Sequence, residues 1–214
     1  MTLPIEPTRI FLLSPASCHG RRAQLLMRAA ASFPLALRVR NGGAPLSEVF
    51  TFLSGLYFRG KVEYARAFAR PPAGVAPALV ITSSRGLVPL DDTVTLRDLQ
   101  EFAHVPIDNA SPVYRSALER TATELAGRLD ADSIIVLLGS VATGKYVDTL
   151  LATFGRRLRF PAEFVGRGDM SRGGLMLRCA DDARELEYVP IEGRTRRGSR
   201  PPRLPPRPPS RRPT

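Results

Sequence analysis

The chain has 214 residues, of which 43% are hydrophobic, and this length suits one well-packed domain rather than two large ones. Its two cysteines are too few for a disulfide framework, no apolar run approaches the roughly 18 residues of a membrane span, and the N-terminus lacks the pattern of a secretion signal. We therefore expect a cytoplasmic protein without membrane association. Of the net charge of +11, residues 191–214 carry +7, because they hold eight arginines and one glutamate.

The N-terminal part of the chain predicts one buried strand followed by helices. Residues 8–15, TRIFLLSP, form a short apolar run that is typical of a buried strand. An alanine- and leucine-rich helix should follow and stop near Pro34. Apolar residues at steps of three and four then predict helix over about 45–69, with a break around Gly55 and Gly60.

The middle of the chain alternates strands with helices. Residues 78–84, ALVITSS, predict a second strand of the buried, parallel type, and residues 85–92 predict a loop after it. A short helix is expected over 95–103 and a longer amphipathic one over 113–129. The apolar run IIVLL, residues 134–138, predicts the third strand.

After Gly155 the pattern changes to short segments. Residues 157–161, 174–180 and 185–191 predict edge strands in antiparallel pairing, and residues 166–174 predict a turn between two of them. Beyond these the chain contains mainly arginine and proline and should be disordered.

These elements predict an α/β fold, namely a three-layer, Rossmann-like, mostly parallel sheet with C-terminal antiparallel edge strands and a disordered basic tail. We expect a single domain over residues 1–190, of which 8–155 form the parallel core and 156–190 the short edge strands. Residues 191–214 would be the disordered Arg/Pro-rich tail.

The segment IIVLLGSVATGKYVDTLL, residues 134–151, contains most of a phosphate-binding P-loop. Gly139, Gly144 and Lys145 have the spacing of that motif, but Tyr146 occupies the place of the Ser or Thr that would hold magnesium. No apolar strand ending in Asp follows closely as a second motif. The segment is therefore interpreted as a tight turn that contacts a ligand, and not as the P-loop of an NTPase.

Lysine is rare in this chain. Of 31 basic residues only two are lysines, Lys61 and Lys145, so arginine is used almost wherever a cation is needed. A lysine that persists against this bias indicates a place where a compact ammonium group is required, because Arg and Lys are not interchangeable at geometric sites. This pattern draws attention to both positions independently of the glycine spacing.

The three predicted strands suggest where a ligand would bind. If they are parallel, the loops that follow them meet at one edge of the sheet, where open α/β sheets bind ligands. These loops are rich in small residues, hydroxyl groups and cations, which suit an anionic ligand near a helix start. The predicted ligand-binding residues are Ser14, His19, Arg21, Arg22, Tyr57, Lys61, Ser83, Arg85, Gly86, Gly139, Ser140, Gly144, Lys145 and Tyr146.

Two residues are candidates for catalysis. Cys18 could act as a nucleophile with His104 as its base, since the adjacent His19 would not face it; the alternative is a small buried cysteine without a chemical role. Asp108 lies in an irregular stretch and could serve as acid, base or ribose contact, or could only cap the next helix. The cysteines and histidines show no spacing typical of a metal site. The sequence leaves the cofactor unknown.

Three segments resemble a family of bacterial and phage domains whose activity is not known to us. LSPASCHGRR resembles that family's Ser-Cys-x-Lys-Lys/Arg opening, VITSSRGLVPLDD its Ser-Ala-Lys-Tyr/His-Gly-Leu-x-x-Pro-Asp strand exit, and IIVLLGSVATGKY its third strand. The second segment also resembles the uracil-DNA-glycosylase-like core domain of archaeosine synthase. The resemblance covers about residues 8–155, with Arg85 in place of the Lys-aromatic pair. It implies a three-layer α/β fold and a connection with modified nucleobases or nucleic acid.

Two functional hypotheses follow, and the sequence does not decide whether the protein is an enzyme. The first is a protein that binds a nucleoside- or nucleotide-like anionic ligand and acts in nucleobase or nucleic-acid modification, for which the resemblance implies base exchange or glycosidic cleavage. The alternative is a non-catalytic accessory protein that binds nucleic acid through its basic tail.

Overall fold

Eight strands build two sheets in the computed structural model, which describes residues 7–142, 144–193, 198–199, 201–202 and 204. They are β1 (Arg9–Leu13), β2 (Ala44–Pro45), β3 (Ala78–Thr82), β4 (Gly86–Pro89), β5 (Thr93–Val94), β6 (Ile134–Leu138), β7 (Leu158–Pro161) and β8 (Tyr188–Pro190). The main sheet has the order β4-β3-β1-β6-β7-β8, and β2 pairs with β5 separately.

The centre of the main sheet is parallel, as the continuous apolar runs predict. Strand β1 pairs in parallel with β3 on one side and with β6 on the other, and β6 pairs in parallel with β7. All five residues of β1 and of β3 are buried. Strands buried on both faces favour apolar side chains at nearly every position, which is why these runs do not alternate.

Helices cover the sheet on both faces. They are α1 (Arg21–Met27), α2 (Pro34–Asn41), α3 (Leu46–Ser54), α4 (Leu56–Phe68), α5 (Leu96–His104), α6 (Pro112–Ala126), α7 (Gly144–Phe154) and α8 (Asp169–Asp181). Helix α4 contacts β1 and α8 in one layer, whereas α6 contacts α7 and β3 in the other. The predicted three-layer α/β fold is confirmed.

Two predictions in the N-terminal half need correction. The helix predicted to stop near Pro34 ends earlier, at Met27, and Pro34 instead begins α2, because proline at a first helical position loses no hydrogen bond. The predicted break near Gly55 is confirmed, since its φ of 65° separates α3 from α4. Gly60 does not break the chain and lies within α4.

The predicted loop over residues 85–92 contains a strand. Residues Gly86–Pro89 form β4, which folds back on β3 in antiparallel pairing, with Thr82 opposite Gly86. The Thr82 hydroxyl donates to the Gly86 carbonyl over 2.9 Å and so closes the hairpin. The sequence contains Gly86 and Pro89, which disfavour strands in general but are tolerated in an edge strand.

The prediction of three C-terminal strands is partly wrong. Residues 174–180, predicted as a strand, belong to α8, and the predicted turn over 166–174 includes the first turns of this helix. The strand over 157–161 is confirmed as β7, but its partner β6 runs parallel to it; only β8 adds the predicted antiparallel edge. Short apolar runs are compatible with both a helix and a strand, so tertiary packing decided which of the two formed.

The prediction of a disordered tail over 191–214 falls mostly on residues outside those described. Among the tail residues that are described, Leu204 packs against the core. Within the described part of the chain, no helix combines the length and the apolar character that crossing a membrane requires.

Candidate functional site

A cleft of about 670 Å³ opens where β1, β3 and β6 end. Ser14, Ser83 and Ser140, one from the loop after each strand, all line it. Because the three strands are parallel, their carboxyl ends share one edge, and the loops predicted to meet there do so. The other walls come from α3 and α4, from the irregular segment between α5 and α6, and from the start of α8.

The floor of the cleft contains a buried lysine. Lys61 of α4 is 1% exposed, and its Nζ lies 2.9 Å from the Ser14 carbonyl oxygen and 2.7 Å from the Ser14 Oγ. The Tyr57 ring covers the ammonium position, with its centroid 3.9 Å from Nζ. Ser14 lines the cleft and Lys61 lies behind it, so the lysine reaches the cleft through this serine.

Burial changes the acidity of this lysine. Desolvation lowers the pKa of Lys61 to about 7; the charge of Asp169 acts in the opposite direction, while that of Arg172 lowers the pKa further. No carboxylate forms an ion pair with Lys61 among the described residues. A buried amine without a counter-ion favours its neutral form, which can accept a proton.

Two tyrosines flank Ser14. Tyr146 donates from its hydroxyl to the Ser140 carbonyl over 2.8 Å, and burial raises its pKa. The Tyr57 hydroxyl is buried and makes no well-aligned hydrogen bond with a described residue, although Arg172 lies close enough to lower its pKa; burial outweighs this effect and raises the pKa. A Cβ on Gly139 would lie 2.7 Å from the Ser14 Cβ and 3.0 Å from the Tyr146 hydroxyl oxygen, so this position requires glycine.

The glycine turn, residues 139–146, is held by hydrogen bonds to its own backbone and to Asn109. Tyr146 bonds back to the turn, and Gly144 begins α7 with its carbonyl accepting from the Asn109 amide over 2.8 Å. Lys145 is exposed at the cleft wall and makes no hydrogen bond or ion pair with any described residue. The buried tyrosine offers no metal-binding hydroxyl at the place where a P-loop needs one.

Several predicted ligand contacts lie elsewhere. Arg21 is exposed outside the cleft lining, and Arg22 donates to the Phe52 carbonyl over 3.2 Å. Arg85 faces Asp98, with 3.4 Å between its Nη1 and the carboxylate. Gly86 packs against the backbone of α6, where a side chain would clash, and so its role is structural. Fewer cations therefore surround the cleft than the sequence predicts, which weakens the expectation of a strongly anionic ligand.

The two candidate catalytic residues both line the cleft. Burial raises the pKa of the Cys18 thiol to about 12, so the thiol is protonated near neutral pH and is a poor nucleophile. Its predicted base, His104, is not part of the cleft lining and bonds to the Gln100 carbonyl. Asp108 is exposed at the mouth of the cleft. Its carboxylate accepts a hydrogen bond from the Ala110 amide over 2.9 Å, so it also has a local structural role.

Two features of the site were not predicted. The pairing of Ser14 with Lys61 was missed, although both residues were named separately and the scarcity of lysine pointed to one of them. Asp169 and Arg172 were placed in a turn, whereas they lie one turn apart at the start of α8, with 3.5 Å between carboxylate and guanidinium. Recognition of α8 as a helix would have shown that these two side chains share a face.

Among the described residues, no three or more His, Cys, Asp and Glu side chains come together in a way that could hold a metal ion. The suspected relation to the phage and bacterial domains, and to the archaeosine synthase core, stays a prediction. Comparison of the chain with protein-family models, with curated proteins and with solved structures found no match.

Proposed function

We propose that the cleft binds a nucleoside- or nucleotide-sized ligand and that the protein acts in nucleobase or nucleic-acid modification. The volume of about 670 Å³ supports this size, because small-molecule sites usually measure 300 to 1,000 Å³. The position at the carboxyl ends of parallel strands is where open α/β sheets bind such ligands.

The lining supports a ligand with one flat apolar part and polar edges. Phe50, Val105 and Ile107 contribute apolar surface, while Ser83 and Ser140 contribute polar groups at the strand ends. A nucleobase needs this combination, since its faces prefer apolar neighbours and its edge needs hydrogen bonds. The Ser83 hydroxyl already donates to the Phe102 carbonyl over 2.9 Å, which leaves its lone pairs to accept from a ligand.

The observation that carries the proposal is the charge arrangement at the mouth of the cleft. Lys145 stands in the first turn of α7, where a helix N-terminus favours a phosphate group. Asp108 and Asp169 also line the cleft and can accept hydrogen bonds from ribose hydroxyls or exocyclic amines. One cation with two carboxylates fits a nucleoside with a single phosphate better than a polyanion.

A thermal-shift series with the full-length protein tests this proposal. We expect nucleosides to raise the melting temperature, mononucleotides to raise it further, and inorganic phosphate alone to have little effect. Lys145→Ala should remove the additional effect of the phosphate and retain the effect of the nucleoside.

Arg85→Ala is the control, because it also removes one cation, here half-buried and paired with Asp98, but lies outside the cleft lining. A series in which no base, nucleoside or nucleotide changes the melting temperature would contradict the proposal. Binding to single-stranded nucleic acid that disappears with rising salt, without any nucleoside effect, would instead support the alternative of tail-mediated binding.

A further inference from the structure

We propose that Ser14 and Lys61 form a nucleophile–base pair that transfers an acyl group from an ester or amide bound in the cleft. The inference rests on the proposed function in one respect only: it takes the leaving group of the substrate to be a nucleoside-sized molecule. The reactivity of Ser14 itself is independent of that identity.

The geometry divides the two roles between the residues. The Ser14 hydroxyl is at the cleft surface, and its backbone is fixed on both sides, since its amide donates to Leu138 over 3.2 Å and its carbonyl accepts from Lys61 over 2.9 Å. The Lys61 Nζ is 2.7 Å from the Ser14 Oγ, which is within reach for proton transfer. Lys61 does not line the cleft, so a substrate meets the serine and not the amine.

The surroundings of Lys61 favour a base over a structural cation. The groups that face it are the Tyr57 phenol on its own helix, Ser14 on the β1 side, and the charged pair of Asp169 and Arg172 on α8. The carboxylate and the guanidinium of this pair are 3.5 Å apart and partly cancel, so burial decides the charge of the amine. The charged amine donates to both Ser14 oxygens; once it is neutral, it can keep one N–H on the Ser14 carbonyl and turn its lone pair toward the Ser14 hydroxyl proton.

The reaction balances with water as the only co-reactant. The Ser14 Oγ bonds to the carbonyl carbon while its proton moves to the Lys61 Nζ, and the electron pair of the carbonyl moves to oxygen. The bond to the leaving oxygen or nitrogen then breaks, and the leaving group takes the proton from Lys61. In the second half, water attacks the acyl-serine, Lys61 accepts a proton from the water, and that proton returns to the Ser14 Oγ.

Labelling of the full-length protein with phenylmethanesulfonyl fluoride tests the pair directly. The Ser14 Oγ would bond to sulfur, fluoride would leave, and the serine proton would pass to Lys61. We expect a single adduct on Ser14 by peptide mass spectrometry. Its rate should rise with pH through a midpoint near 7, because Lys61 loses its proton there and becomes able to act as a base.

Two of the other four serines that line the cleft serve as internal controls. Ser17 and Ser140 also line it, but neither forms a hydrogen bond with a lysine among the described residues, so they should remain unlabelled. Lys61→Met should slow labelling of Ser14 by about 100-fold or more, the usual contribution of a general base. Circular dichroism and thermal unfolding must show that this variant is folded; the pH profile of the unaltered protein needs no variant at all.

Absence of an adduct on Ser14 between about pH 6 and pH 9, or a rate that does not change with pH in that range, would overturn the pair. Labelling of Ser14 without any nucleoside effect on the melting temperature would support the pair and contradict the proposed function. Nucleoside binding without labelling of Ser14 would support the proposed function and contradict the pair.

Discussion

The two lysines of this chain lie in regions with opposite character. Lys145 belongs to a glycine turn with the spacing of a known motif, and it is exposed without a partner among the described residues. Lys61 belongs to no motif, yet it is 1% exposed and contacts Ser14 beneath the cleft. Spacing identified the first region, but burial gave the second its unusual acidity, because desolvation and not sequence neighbourhood shifts a pKa this far.

The floor region depends on a close crossing of α4 and α8. A Cβ on Gly60 would lie 2.6 Å from the Gly173 carbonyl oxygen, and a Cβ on Gly173 would lie 2.8 Å from the Leu56 oxygen and from the Tyr57 Cα. The two helices therefore meet backbone to backbone. This contact brings the first turn of α8 to the cleft and helps to bury Lys61.

The largest expected effect on stability is a pH-dependent one at the floor. The folded-state pKa of Lys61 is about 7 and its ordinary value is 10.5, so between these pH values the unfolded chain binds one more proton at this residue than the folded chain does. The free energy of unfolding therefore rises with pH in this window. At and below about pH 7 the lysine lowers stability by its full amount, on the order of several kcal/mol.

Lys61→Met removes this titration. Relative to the variant, the unaltered protein should gain roughly 3 kcal/mol between about pH 6.5 and pH 9.5, measured by urea unfolding at each pH. Other titrating groups are common to both proteins and cancel in the difference. A difference that is constant across this range would show that Lys61 keeps an ordinary pKa when folded, and the contrast between the two lysines would disappear.

A smaller effect is expected at the helix crossing. Gly173→Ala should lower the free energy of unfolding by roughly 2 kcal/mol or more, because the added methyl group meets backbone atoms of α4 that cannot move aside. Gly174→Ala is the matched control in the next position, where the methyl group would meet only Leu204 at 3.6 Å. That variant should be neutral or gain up to about 1 kcal/mol from helix propensity. Equal effects of the two changes would contradict the close crossing.

The contact of the glycine turn with Ser14 can be tested at Gly139. Gly139→Ala would place a methyl group against Ser14 and the Tyr146 hydroxyl, and should cost roughly 1 to 2 kcal/mol of stability together with most of the Ser14 labelling. Gly168→Ala, at a position with no atom within 4 Å of a new Cβ, should leave the Ser14 labelling unchanged and lower the stability by no more than about 1 kcal/mol, because Gly168 is the N-cap of α8. Retention of full labelling in Gly139→Ala would mean that Ser14 does not need its present position.

The smallest effect on stability is expected at Lys145. Because this residue is exposed and unpaired among the described residues, Lys145→Ala should change the free energy of unfolding by no more than about 0.5 kcal/mol. Its consequence should be confined to phosphate affinity in the thermal-shift series. A large loss of stability would show that the glycine turn depends on this lysine. Both lysines would then affect the stability of the fold, and the contrast between the two regions would be reduced.

The sequence by itself determined the parallel core and the place of the cleft. Three runs of consecutive apolar residues that alternate with helices are typical of a parallel sheet covered on both faces, and the loops after parallel strands share an edge. Ser14, Ser83 and Ser140 were assigned to that edge for this reason, and they line the cleft. The assignment needed no knowledge of distant contacts, because it follows from chain order and strand direction.

Only the tertiary structure decided which polar residues act together. Residues 174–180 fit a strand or a helix equally well until α8 packs on α4, and without that helix Asp169 and Arg172 have no assigned place. Lys61 and Ser14 are 47 positions apart, and their contact arises only when α4 lies beneath the end of β1. Burial is a property of the assembled layers, so the lowered pKa of Lys61 and the raised pKa of Cys18 could not be read from local sequence.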